Sequence, residues 1–152
     1  INMIANVLLL ILVVGFISWA RSIGESNGAI VLGTYTALVA LMLLWVGDLS
    51  QWAGFGIAAD NPNASQALIS LNRELTWIGI ITLMGSFFLV GTIAYIKRSG
   101  TRALTGLLGL FGLVGCVGGF IPTPIDWVFW TGGFAFSLIL LTIIGVQKVV
   151  RV

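Results

Sequence analysis

Between Thr101 and Asp126 a glycine stands at every third position: Gly106, Gly109, Gly112, Gly115 and Gly118. In water such a segment is a poor helix, because each interior glycine costs about 1 kcal/mol against alanine. In a bilayer the backbone has no water to bond to and must close its own hydrogen bonds, which makes a helix the available solution. The glycines then become grooves through which a neighbouring helix can approach closely. A repeat of three falls short of the helical repeat, so each glycine steps back by about 60° around the axis. The stripe winds around the helix, and contact with more than one neighbour is expected.

The rest of the chain demands the same solvent. Of its 152 residues 59% are hydrophobic and 8% charged, and its mean hydropathy is +1.12. Soluble domains carry about 25% charged residues. Five apolar runs approach the length of about 20 residues that a helix needs to span a bilayer. They lie at about 4–20, 29–52, 75–96, 103–121 and 127–146. The expected fold is an all-α integral membrane protein: a bundle of five transmembrane helices in one domain over 1–152. The first run is rich in Leu, Ile and Val, which suits a position against lipid, with Gly15 among them. It is not a convincing signal peptide, because no basic segment precedes it.

The connections carry local signals. Arg21 to Gly28 reads as a polar turn, and Ala53 to Leu75 as the one long connection. Within the latter, Asp60-Asn61-Pro62 is a helix start, with Asp or Asn capping and Pro in the first turn. Ala64, Leu68, Leu71 and Leu75 follow at helical spacing on one face. A short amphipathic extramembrane helix is therefore expected to run directly into the third span. Ile-Pro-Thr-Pro-Ile reads as a tight extended turn, and Asp126 is placed to cap the fifth span. The glycines of the third span, Gly79, Gly85 and Gly91, follow a different period from the stripe, so no inverted repeat is read.

Orientation follows from the basic residues. Five crossings put Arg21, Lys97, Arg98, Arg102, Lys148 and Arg151 on one side, which the positive-inside rule makes cytoplasmic. The amino terminus is then expected outside and the carboxyl terminus in the cytoplasm, in the cell (plasma or inner) membrane. Trp45, Trp52, Trp77, Trp127 and Trp130 fall toward the outer ends of the runs, and Trp19, Tyr35 and Tyr95 toward the inner ends. That is the pattern of aromatic belts at two interfaces.

Candidate chemistry is sparse. Asp48 is an ionisable residue near the end of an apolar run, a functional hypothesis by default. Its spacing puts it on a face with Thr34, Ala37 and Leu41; the alternative is an interfacial residue, solvated or paired with Arg73. Arg73-Glu74 opens the third span either as a gate or as an interfacial anchor with a local ion pair. Asp48, Asp60, Glu74 and Asp126 make the outer side acidic, but their spacing matches no metal loop. Asn63-Ala64-Ser65 is a glycosylation sequon. Cys116 lacks a second cysteine for a disulfide, and with no intramembrane base beside it reads as a small packing residue. The glycine stripe could instead cradle a lipid, quinone or carotenoid.

The chain has no histidine and one cysteine, so no haem or metal ligation is expected. With no nucleophile–base pair either, no autonomous enzyme is read. Nucleic acid is not an expected partner, since the basic residues sit at span ends. The expected role is an accessory or structural subunit of a larger membrane complex, of the kind found in energy-converting assemblies, packed through the stripe. Its partners would be other integral membrane subunits, or further copies of itself, within the lipid bilayer. The alternatives are a small oligomeric ion or solute transporter or channel, and a lipid- or quinone-binding protein.

Overall fold

The computed structural model describes residues 2–120 and 126–150, with side chains described for residues 6–120 and 131–147. The described residues form five helices and no strand: α1 (Asn2–Gly24), α2 (Gly28–Gly56), α3 (Pro62–Ile96), α4 (Arg102–Gly118) and α5 (Asp126–Val150). Among them, Asn6–Gly24, Gly28–Gly56 and Pro62–Ile96 are long and apolar enough to cross a membrane. Arg102–Gly118 and Thr131–Gln147 are shorter apolar helical segments. The expected cap Asp126, the Pro-rich turn, Trp127, Trp130, Lys148 and Arg151 lie outside the described residues or side chains.

The helices outrun the apolar runs, and two expected connections shrink. Arg21 is in the last turn of α1 rather than in a loop, where a cation meets the negative end of the helix dipole. Asn27 then caps α2, its side chain accepting from the N–H groups of Ala29 (3.0 Å) and Ile30 (3.3 Å). The long connection expected at Ala53–Leu75 reduces to five residues, 57–61, between Gly56 and Pro62. Asn61 caps α3 through a 3.1 Å bond from the Ala64 N–H, with Pro62 in the first turn. From there α3 runs without a break for 35 residues.

Why α3 is continuous follows from what lies beside it. On α2, Gly33, Ala40, Gly47 and Gly54 recur every seven residues, and all are buried. A seven-residue repeat keeps a seam facing an antiparallel partner along the whole length. A Cβ on Gly33 would stand 2.7 Å from Val90, one on Gly47 3.0 Å from Asn72, and one on Gly54 3.1 Å from the Ser65 carbonyl. In return, Gly79 of α3 admits Leu44 and the Ala40 carbonyl. Thr36 and Ser86 share a 2.8 Å hydrogen bond across the same seam.

This seam corrects the expected amphipathic face. Ser65 is buried against Gly54, Leu68 and Ile69 also flank Gly54, and Asn72 meets Gly47. Leu71, expected on one face with Leu68, is exposed, while Leu68 flanks the seam. The partner at this level is a row of glycines, so small and polar side chains fit it and Leu71 turns outward.

α3 is the axis of the bundle and touches each of the other four helices. Leu83, Met84, Phe87 and Val90 at its middle are fully buried. Phe16 of α1 reaches Phe87 edge-on, with ring centroids 5.0 Å apart. Trp19, expected in an aromatic belt, is instead buried beside Phe16. α1 is the least enclosed element, and Val7, Leu8, Ile11 and Val14 face outward.

The end of α3 uses an unusual residue. Ser99 N–H bonds the Ala94 carbonyl at 2.9 Å and Arg98 N–H the Tyr95 carbonyl at 3.3 Å. This is a Schellman motif, which needs a left-handed residue at its turn. Arg98 supplies it with φ 54°, at a cost of about 1–2 kcal/mol for an L-residue. Arg98→Gly should raise the unfolding free energy in detergent by about 1 kcal/mol. Equal or lower stability would show that the turn carries no such strain.

Candidate functional site

The glycine stripe of α4 lies directly against backbone. A Cβ on Gly112 would come 2.5 Å from the Phe88 nitrogen and 2.8 Å from the Met84 carbonyl. Gly109 faces Thr92, while a Cβ on Gly91 would stand 2.5 Å from the Gly109 nitrogen. Gly106 meets the ring of Tyr95, and Gly115 meets Met84. From the other side, a Cβ on Gly133 of α5 would stand 2.9 Å from the Gly115 Cα. Gly118 is buried as well. The side chain of Cys116 is half-buried, 4.0 Å from where a Cβ on Gly85 would lie.

Among the described residues, α3 and α5 lie against the stripe. The open apolar grooves lie along α1. One, of about 490 Å³, runs between α1 and α5 past Leu12, Gly15, Leu141 and Gly145. The other, of about 480 Å³, runs between α1 and α2.

That second groove contains Asp48. On α2, Trp45, Asp48, Leu49 and Trp52 fall at spacings of three, four and seven residues, which places them on one face. Asn6, Val7 and Leu10 of α1 form the opposite wall. The Asn6 side-chain amide donates to Asp48 Oδ2 at 2.6 Å. Asp48 continues the line of Thr34 and Leu41 at seven-residue steps. Those two are buried, whereas Asp48 is half-buried where the groove opens.

Asp48 and Arg73 do not form one ionisable site. Arg73 lies 3.2 Å from Glu74, and both side chains are exposed. Asn72 already faces Gly47, so Arg73, about 100° further round α3, points away from α2. An exposed pair of this kind contributes at most about 1 kcal/mol. Among the described residues no three acidic or metal-ligating side chains come together. In the sequon, Asn63 is exposed, but Ser65 is buried in the α2–α3 seam.

Most of the described basic residues gather at one end of the bundle, with Glu25 beside Arg21. The Lys97 ammonium donates to the Ile23 carbonyl at 3.5 Å, and the Arg102 guanidinium stacks 4.6 Å over the Tyr95 ring. Arg21, Lys97, Arg98 and Arg102 thus share one end of the bundle. Asp48, Arg73 and Glu74 stand toward the other, near the Asn72–Gly47 crossing. Comparison with protein-family models, with curated proteins and with solved structures gave no match to this chain.

Two features escaped the sequence reading. The partner of Asp48 is Asn6, 42 positions away; an amide inside the first apolar run was the available signal. The small-residue seam of α2 was visible as a seven-residue spacing. Gly112→Leu should destabilise the protein by about 1–3 kcal/mol, the range for forcing a side chain into a packed interior. Gly15 has open space around it, so Gly15→Leu should stay within about 0.5 kcal/mol of the parent. Thermal unfolding of both in one detergent is the check, and equal stabilities would contradict the α3–α4 geometry.

Proposed function

We propose that the chain is a non-catalytic, membrane-embedded subunit of a larger assembly. It crosses the membrane five times, with its amino terminus outside and its carboxyl terminus in the cytoplasm of a cell membrane. The collection of Arg21, Lys97, Arg98 and Arg102 at one end of the bundle supports that orientation. The glycine contacts of α4 with α3 and α5 serve the bundle's own packing in this reading. A partner must therefore meet another surface.

The observation that carries the proposal is the length of the α2–α3 hairpin. At 1.5 Å per residue α2 is about 43 Å long and α3 about 52 Å, against a hydrocarbon core of about 30 Å. The first turns of α3 are polar, with Asn63, Ser65, Gln66 and Ser70, which supports a projection beyond the hydrocarbon. Yet this projection leaves Phe55 58% and Leu71 45% exposed. Large apolar side chains held outside the bilayer on a rigid hairpin mark a protein contact surface.

A second reading, a small oligomeric ion or solute transporter, draws on the Asn6–Asp48 pair in a groove open to the bilayer. The two readings separate on extraction from the native membrane in mild detergent. The subunit reading expects stoichiometric co-migration with other polypeptides. It further expects Phe55→Asp with Leu71→Asp to release the chain while its own melting temperature stays within a few degrees. A chain that migrates alone before any substitution would overturn it, and a homo-oligomer that moves ions in liposomes would install the second reading.

A further inference from the structure

We propose that the α1–α2 groove is a binding site for a lipophilic monovalent organic cation, an alkylated ammonium or its phosphonium counterpart, with Asp48 as counter-ion and Trp45 and Trp52 as the walls around the charge. The site stands apart from the contact surface at the hairpin tip and does not depend on it.

The charge comes first. A carboxylate among apolar side chains is costly unless something neutralises or bonds it. Asn6 supplies one hydrogen bond, while a carboxylate has about four acceptor positions. Among the described residues the one ion pair is Arg73–Glu74, so Asp48 has no cationic partner there. The groove around it is lined by Val7, Leu10 and Leu49, with the two indoles.

The aromatic placement then selects the class of cation. Trp45 and Trp52 stand three residues before and four after Asp48, one helical turn on either side of it. Their side chains keep 38% and 62% of their surface open, so they are not consumed by core packing. Indole is the best ring for a cation held over its face. Between two indoles a positive group with apolar substituents gains both Coulomb attraction and dispersion.

Competing occupants fit less well. A calcium or magnesium ion needs six or more oxygen ligands, or several retained waters. Among the described residues the groove offers the carboxylate of Asp48 and the amide of Asn6. A zwitterionic phospholipid would bring a phosphate beside its ammonium, and among the described residues no lysine or arginine lines the groove to receive it. A free organic cation of about the groove's 480 Å³ meets the single negative charge without leaving an anion unpaired.

The experiment is calorimetric titration of the full-length chain in a neutral maltoside detergent with benzyltributylammonium, and with its uncharged all-carbon analogue as control. Saturable binding of the cation, at least about tenfold tighter than the analogue, is expected from one close charge pair. Asp48→Asn retains an acceptor for Asn6 but removes the charge, and should weaken binding by about tenfold or more. Trp45→Leu and Trp52→Leu should each weaken it by about three- to tenfold. Each variant is compared at matched melting temperature. Should Asp48→Asn fail to fold, the charged and uncharged ligands on the parent still decide the matter. Equal binding of both ligands, or an unchanged affinity in a folded Asp48→Asn protein, would overturn the proposal. So would displacement of the cation by phosphatidylcholine at comparable concentration, which would make the groove a lipid site.

Discussion

The bundle depends on backbone approaching backbone along α3. In lipid, apolar side chains gain little by turning from acyl chains to one another, so cohesion comes from dense contact and occasional hydrogen bonds. Small residues are what make the contact dense. Gly91 against Gly109 and Gly112 against Phe88 bring α4 onto one flank of α3. Gly33, Gly47 and Gly54 bring α2 onto another. The bulk sits in α3 itself, where Leu83, Met84, Phe87 and Val90 fill the centre. One large-residue helix is clasped by two small-residue helices, and the two glycine patterns solve that same geometric problem with periods of three and seven.

Polar groups in this setting are few, and several are bonded within or across the helices. Thr36 and Ser86 bond one another and also the preceding turns of their own helices, so neither is left with an unsatisfied hydroxyl in hydrocarbon. Asn72 and Thr76 bond at 3.1 Å and lie over Gly47. Asp48, one residue along, escapes that seam and turns to Asn6. The difference of one residue, about 100° of helix, separates a side chain inside the α2–α3 seam from one that opens to a groove.

The five helices were legible in the sequence because hydropathy and capping are local. Asp60-Asn61-Pro62 marked the start of α3, with Asn61 proving to be the cap. The helix ends at Gly24 and Gly56 were not legible, since the residues beyond the apolar runs are held helical by neighbours: Gly54 by Ser65, and Arg21 by the dipole at its own terminus. The same reason explains Leu71 and Trp19. Spacing put Leu71 on one face with Leu68, and position near the end of an apolar run put Trp19 at an interface, while the partner helices decided otherwise. Asp48 was found by its chemistry. Its connection to Asn6 spans two helices, and no local pattern encodes which amide will stand opposite a carboxylate.

The pocket where Trp19 meets Ile144, beside Thr101 and Gln147, joins the first helix to the last. Most of the contact in the bundle is between helices adjacent in the chain, and such pairs can form as soon as the second member is made. The first helix must instead wait for some 120 residues of synthesis before its far flank is covered, and long closures of this kind come late. During that interval Trp19 and its neighbours face lipid, or whatever attends the nascent chain. Closure of this flank is thus tied to the synthesis of α5, which acts as the clasp.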